Sequence, residues 1–536
     1  TQLKFGNKPT INAKVSQTVT LNPTQKAQKI IGIGGSMTDS TGFNIRALPE
    51  ALQNHLIKDY FSNEGLEYNL IRVPIGGSDF STHAYSYDDN HKDDFELTHF
   101  NLTDDDRNYK IPYMKSALKV SPHKIKFFGS PWAAPAWMKN NSELVHGGIL
   151  AQKIIGIGGS MTDSTGFNIR ALPEALQNHL IKDYFSNEGL EYNLIRVPIG
   201  GSDFSTHAYS YDDNHKDDFE LTHFNLTDDD RNYKIPYMKS ALKVSPHKIK
   251  FFGSPWAAPA WMKNNSELVH GGYLIGEPGE KYYKTFAKYF VKFLDAYKSN
   301  GLDIWGITIE NEPKAGNTKT YSFNCLGFTP ELQRDFIKKD LGPILEAAGY
   351  GPNKLDVMIF DDQRDQIVKW ANVILTDKDA AKYVAGTAVH WYNNKDTNVM
   401  ELDKTHAIDP SKYIINTESS NCCHDVGWWG NAEAYAKDII VDFNHLTAGY
   451  AGWNMVLNMT GGPRWNGGNA DAPIAVDASK HEYYKQPSFY SMGQFSKFLA
   501  PDSVKIGIHE DKALTHVFST AFERPDGGIV VIVFNQ

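Results

Sequence analysis

Cysteine is nearly missing from this chain: there are three among 536 residues, at Cys325, Cys422 and Cys423. That is too few for a disulfide scaffold, and with no Cys-x-x-Cys pair a structural zinc site is not expected. No local nucleophile signature surrounds any of the three, so they read as inert thiols. Long apolar runs are missing too. No stretch of 18 apolar residues occurs, which argues against a membrane-spanning helix. No basic-then-apolar leader opens the chain at Thr1, so any signal peptide is expected to lie outside it. An excess of positive charge is lacking as well. Asp and Glu number 63 against 54 Lys and Arg, giving a net charge of −9, and a nucleic-acid partner is disfavoured. Acid changes this balance. Charging all 19 histidines reverses the sign, so a cationic surface suited to anionic lipid is expected below about pH 6.5.

What is present suits a large globular protein. Hydrophobic residues are 41% and charged residues 22%, too apolar for disorder. The dominant feature is a repeat. Residues 27–148 recur without a single change at 151–272, 124 positions later, and the match fails at Ile149 against Tyr273. Solenoid units run about 20–50 residues and diverge, so this is not a repeat architecture. Identity over such a length points to a very recent tandem duplication or to an error of sequence assembly.

Beyond the repeat, strands and helices alternate. Phe286, Tyr289, Phe290, Phe293, Leu294 and Tyr297 form one face of a helix. Thr329 followed by Pro330 marks another helix start. Short apolar runs at 304–309, 357–360, 384–389, 413–415 and 449–453 each end in polar or aromatic residues. Three more runs lie inside each copy of the repeat, at 154–158, 194–197 and 249–252 in the second. Eight buried strands, each followed by a helix, predict an α/β fold, a (β/α)8 barrel with its site at the C-terminal ends of the strands. A doubly wound sheet is the alternative, but Gly32-x-Gly34-Gly35 is a weak match to a nucleotide-binding turn. Residues 1–26 and 504–535 read as strands, with Asp526-Gly527-Gly528 as a hairpin turn, and are expected to form a small side β domain.

Glu312 and Glu418 fall at two predicted strand ends. Two carboxylates facing each other across a concave site are what glycoside cleavage needs: one protonates the leaving oxygen, the other attacks or activates water. Asn311 stands beside Glu312, where its amide can bind a sugar hydroxyl. Trp256, Trp391, Tyr392 and Trp453 also fall at strand ends, and flat sugar faces stack on such rings. Arg196 sits in an apolar strand and needs a carboxylate partner, for which Glu418 is the candidate. Asp203 is a candidate for hydroxyl recognition. Sequons at Asn101, Asn140, Asn225, Asn264 and Asn458 weakly favour a secretory route.

At these residues the chain closely resembles the glucosylceramidases of glycoside hydrolase family 30. The matching stretches, in order, include GIGGSMTDS, YNLIRVPIGGSDFS, SPWAAPAWMK, ITIENEPKAG, FDDQRD, GTAVHWY, NTESS, GWNMVLN and GGPRW. The resemblance implies Glu312 as acid/base and Glu418 as nucleophile of a retaining mechanism. It implies glucose contacts at Asp203, Trp256, Asn311 and Trp453, with Arg196, His390 and Tyr392 around them. It implies a glycosphingolipid substrate, glucosylceramide, met at a membrane surface, a lysosomal setting, a saposin-like activator, and no metal or organic cofactor. A family relative with another sugar preference and an inactive glycolipid-binding protein are the alternatives. Departures are the missing Cys-rich N-terminal segment, Ser420 where the family often has Cys, and C-terminal strands cut short at Gln536.

The expected organisation follows. Residues 1–26 are strands of the side domain, 27–150 a surplus copy of barrel strands one to three, 151–490 the catalytic barrel, and 491–536 further side-domain strands. The second copy is assigned to the barrel because it runs directly into the family-like segment from Leu274, whereas the first lacks the helix due after strand three.

Overall fold

A computed structural model describes residues 29–92, 94–139, 144, 153–508 and 516–536. The chain divides into two compact units, Thr1–Gly147 and Gly148–Gln536. The expected strands of 1–26 lie outside the described residues.

In the first unit, β1 (Gly34–Ser36), β2 (Leu70–Ile75) and β3 (Lys126–Pro131) form a parallel sheet in the order β1-β2-β3. Helices Asp39–Arg46, Glu50–Phe61 and Ile111–Val120 accompany it. The core is small: Met37, Ile45, Ile57, Phe61, Ile71, Tyr113, Ala117 and Ile125.

In the second unit, eight parallel strands close a barrel. They are β4 (Gly156–Ser160), β5 (Leu194–Ile199), β6 (Lys250–Pro255), β7 (Ile304–Thr308), β8 (Asp356–Gln363), β9 (Gly386–His390), β10 (Tyr413–Glu418) and β11 (Thr447–Asn454). The order is β10-β11-β4-β5-β6-β7-β8-β9, so strands one to three of the barrel come from residues 151–272. Leu194, Phe252, Met358, Ala388, Ile415 and Ala451 pack together in one cluster contributed by six of the strands. The helix Lys281–Ser299 buries the aromatic face its spacing predicts; Phe286, Tyr289, Phe290, Phe293 and Tyr297 are fully covered. Gly253 in β6 lies so close under this helix that a Cβ there would stand 2.8 Å from the Phe293 ring. Thr329 caps the helix Pro330–Phe336, its hydroxyl accepting from the Leu332 N–H.

Two smaller sheets complete the unit. β12 (Val456–Asn458), β13 (Ile474–Asp477) and β14 (Glu482–Lys485) were not foreseen, because three- and four-residue strands carry too little period to recognise. β15 (Val504–Ile506), β16 (Val517–Glu523) and β17 (Ile529–Asn535) form an antiparallel sheet with its turn at 524–528. This is the C-terminal part of the expected side domain.

Candidate active site

The site lies at the C-terminal ends of the barrel strands, and local backbone irregularities aim its side chains. The register of β8 shifts between Phe360 and Asp362, and Phe360 and Asp361 both take positive φ, 76° and 66°. Such a bulge re-aims a side chain, here Asp361, which is fully buried. β10 shifts between Asn416 and Glu418, again just before the functional group. Glu312 takes φ 46° at the start of the short turn Pro313–Asn317. A left-handed glutamate costs of order 1–3 kcal/mol and persists only where surrounding contacts hold it. Its N–H donates to Asp361 O at 2.9 Å, and the Asn311 N–H to Pro255 O at 2.8 Å.

Arg196 organises the floor. Its Nε donates to Ser254 Oγ at 2.9 Å, and one terminal nitrogen to Asn311 Oδ1 at 2.9 Å and Asp361 Oδ2 at 2.7 Å. The other terminal nitrogen donates to Glu418 Oε2. The pairing of Arg196 with Glu418 read from sequence is thus present, with Asp361 as a second carboxylate. Thr308 and Thr417 hydroxyls each donate to Asp361 at 2.6 Å. Burial pushes the Asp361 carboxyl up, but the Arg196 and His390 charges pull harder and hold it well below the usual range. Burial pushes His390 down, while Glu418, Asp361 and Glu312 outweigh it and raise it to about 10. The ring is therefore a cation, with Nε2 on Asp361 Oδ1 at 3.0 Å and Nδ1 3.5 Å from Glu312 Oε1.

Glu312 also accepts from the Tyr321 hydroxyl, and from Gln363 Nε2 at 3.0 Å. Burial raises its carboxyl, yet His390 and Tyr321 outweigh burial and leave it below its ordinary value. Neighbouring Asp362 is displaced the other way, to about 6, by burial and by the charge of Glu312. Tyr392 Oη donates to Glu418 Oε1 at 2.7 Å. One carboxylate oxygen each of Glu312 and Glu418 and one His390 nitrogen lie within 4.8 Å of one another. Glu312 and Glu418 line a cavity of about 220 Å³ together with Asp203, Trp256, Asn311, Phe323, Tyr392, Trp453 and Arg464. That volume is below the roughly 300–1,000 Å³ of sites for drug-sized ligands and suits a single sugar ring.

The structure therefore brings eight of the ten residues singled out from sequence to the cavity or directly beneath it, places His390 behind Glu312, and leaves Trp391 outside. Trp256 and Trp453 stack at 5.1 Å between centroids, with Arg196 over both rings. Asp203 pairs with Arg464 at 3.0 Å; burial, with Arg464 opposing, raises it to about 7. Trp391 is the exception among the strand-end aromatics. It turns away, packs on Tyr435 at 4.8 Å and donates to Ser420 O. Residues that sequence reading passed over are Asp361, Tyr321, Gln363 and Arg464. Asp361 ends an apolar run just as Glu418 does, and that signal was available.

A family model, the glycosyl hydrolase family 30 TIM-barrel domain, matches residues 30–153 and again 154–499. The chain belongs to glycosyl hydrolase family 30. The double match shows that both copies of the repeat carry family 30 sequence. A lysosomal acid glucosylceramidase of Mus musculus is 42% identical over 398 residues, covering 72% of this chain and 75% of that protein. A putative glucosylceramidase 4 of Caenorhabditis elegans is 41% identical over 392 residues, with the same coverage of 72% and 75%. Among solved structures, SrfJ from Salmonella typhimurium superposes with a TM-score of 0.66 at 28% identity, covering 72% of this chain and 83% of its own.

Proposed function

We propose that this family 30 chain hydrolyses the β-glucosidic bond of glucosylceramide with retention, releasing glucose and ceramide. The observation that carries this reading is the approach of Glu312 and Glu418 to within 4.8 Å over a cavity sized for one sugar. Retaining enzymes hold their two carboxyl groups about 5–5.5 Å apart, whereas inverting ones need roughly 6.5–9.5 Å for a water between them. In this reading Glu418, held by Arg196 and Tyr392, attacks the anomeric carbon. Glu312 gives its proton to the departing ceramide oxygen, then takes one from the water that cleaves the glucosyl ester. The Trp256–Trp453 pair supports the sugar, while Asp203 and Asn311 read its hydroxyls. No step needs a metal or an organic cofactor.

The substrate assignment rests on the similarity to glucosylceramidases and on the surface beyond Glu418. There Val426, Trp428 and Trp429 are exposed, Trp429 at 63%. Indole rings favour the boundary between water and lipid. A lysosomal setting rests on the similarity to the lysosomal acid glucosylceramidase of Mus musculus, and acid favours the protonated form that Glu312 needs as general acid. A saposin-like activator that lifts the lipid toward the cleft belongs to the same proposal.

The test is hydrolysis of glucosylceramide in anionic vesicles at pH 5 and pH 7.5, with and without saposin. Turnover should rise at pH 5. Glu312→Gln should cost about 10²–10⁴-fold in kcat, and Glu418→Gln at least about 10⁴-fold. Undiminished turnover in either variant would sink the mechanism. Faster cleavage of aryl xylosides or fucosides than of the glucoside would sink the substrate assignment alone.

A further inference from the structure

The loop that follows β5 carries Asp203 into the cleft and then makes a second cluster of polar side chains outside it. Asp212, His215 and His223 each offer one ligand atom, and these atoms lie within 4.8 Å of one another. Asp212 is almost wholly buried, and its Oδ1 makes no hydrogen bond. A buried carboxylate oxygen without a partner is costly, of order 1–3 kcal/mol, and asks for a cation or a donor. His215 Nδ1 stands off from it at 3.9 Å, beyond hydrogen-bond distance. The other oxygen of Asp212 accepts from Trp261 Nε1 at 3.1 Å, which fixes the direction of the free one.

The histidines are prepared in the same way. Their rings stack at 4.0 Å between centroids and 6° between planes. His223 Nδ1 lies 2.9 Å from Asp218 Oδ2, an arrangement that places the ring proton at Nδ1 and leaves Nε2 as a lone-pair donor. A carboxylate behind a ligating imidazole is the usual outer support of a metal site. Both rings are about half exposed, so each can rotate to converge on an ion and leave a position for water. No structural zinc site was expected from the sequence, but that expectation rested on the missing Cys-x-x-Cys pair and weighed no set of His and Asp ligands.

We propose that Asp212, His215 and His223 form a binding site for a borderline divalent metal such as Zn²⁺, with Asp218 orienting His223. Two imidazoles and one carboxylate are the ligand chemistry of zinc, copper and nickel rather than of calcium or magnesium. The site ties together two loops of the cleft face. Trp261 follows the β6 strand end that carries Trp256, and its Nε1 also donates to the Asp212 carbonyl at 3.0 Å. The metal therefore stiffens the support of Asp203 and Trp256 without touching the reacting groups.

The first copy repeats the residues. Asp88 has two carboxylate oxygens without hydrogen bonds, His91 Nδ1 is 3.7 Å from Asp88 Oδ1, and His91 and His99 stack at 4.1 Å. The test therefore starts from an untagged chain carrying His91→Ala and His99→Ala, so that the second copy alone counts. Titration calorimetry with Zn²⁺ should give one ion per chain, and Co²⁺ should give visible absorption bands of a nitrogen- and oxygen-ligated ion. Adding either His215→Ala or His223→Ala should weaken Zn²⁺ binding by at least about tenfold, and Asp218→Asn by about tenfold. Asp212→Asn, which keeps the shape, should weaken it while leaving glucoside hydrolysis in place, and that activity shows that the chain is folded. No saturable Zn²⁺ binding, or binding unaffected by these substitutions, would overturn the proposal.

Discussion

Residues 27–148 and 151–272 are one amino-acid sequence in two surroundings, and the difference separates what the sequence does locally from what the barrel does. Locally the two copies agree. Helices Asp39–Arg46 and Asp163–Arg170 start at Thr38 and Thr162, with the same cap hydrogen bond. Lys110 is buried between Asp39 and Asp106 at 3.0 and 2.8 Å, and Lys234 between Asp163 and Asp230 at 3.1 and 2.9 Å. Arg72 sits opposite Phe128 in the sheet register as Arg196 sits opposite Phe252.

Toward the barrel they part. Phe128 is 45% exposed and Phe252 fully buried; Trp132 is 41% exposed and Trp256 is 1%. Arg196 holds four partners, whereas Arg72 lies over the Trp132 ring at 4.4 Å with its Nε unbonded. The missing partners sit on strands that the chain encodes once. Asn311, Asp361 and Glu418 all follow residue 272, and so does the helix Lys281–Ser299. Secondary structure, caps and the helix-side ion pairs are therefore properties of the segment. The burial of its inner face and the charge network are properties of the closed barrel.

The largest expected contrast is at the arginines. Arg196→Met leaves Asp361 and Glu418 buried without their cation, a loss of about 3–5 kcal/mol, and hydrolysis should disappear with it. Arg72→Met should alter stability by no more than about 0.5 kcal/mol and leave hydrolysis unchanged. Equal effects in denaturant melts and assays would break the contrast. Next come the phenylalanines. Phe252→Ala should cost about 3–5 kcal/mol by opening a cavity, while Phe128→Ala should be near neutral, as read by hydrogen exchange in each copy.

The third effect is smaller and sharpens the comparison through pH. Burial raises Asp203 and Asp438 to about 7, and Asp362 and Asp471 to about 6. Folded, these groups keep protons that the unfolded chain has released above about pH 4. Their contribution to stability is therefore full below that value and is lost as pH rises through 6 to 7, at up to about 1.4 kcal/mol per pH unit for each group. Carboxyls held low, such as Asp361, change sides only below about pH 4 and do not oppose this window. These four carboxyls lie in the second unit, whereas in the first Asp105 is the carboxyl that burial raises among the described residues. Its melting temperature should rise between pH 7.5 and pH 5, and that of the first unit should follow it less. A barrel more stable at pH 7.5 than at pH 5 would contradict the assignment.

Much of this was legible in the sequence. Strand-end Glu312 and Glu418 could be found because apolar runs mark barrel strands and their last residues face the site. Arg196 demanded a carboxylate because a charge in an apolar strand needs one, and Glu418 supplies it. Two things escaped. Asp361 was marked by the end of its apolar run, but its inward turn is set by the β8 irregularity, which hydrophobic period does not show, and the outward turn of Trp391 was not foreseen either. Partnerships between distant loops, such as Asp203 with Arg464, also carry no local signal. The surroundings of each copy came from the continuity of the second copy with Leu274, not from any residue within the repeat.

The most direct measurement is made on the chain with residues 27–150 deleted, which joins Lys26 to Ala151 and so restores the same junction as Lys26 with Ala27. Its kcat/KM for glucosylceramide should lie within about twofold of the full chain, because every residue assigned to the cleft is still present. A loss of more than about tenfold would show that the first copy contributes to the working site, and would contradict the placement of the chemistry in the second.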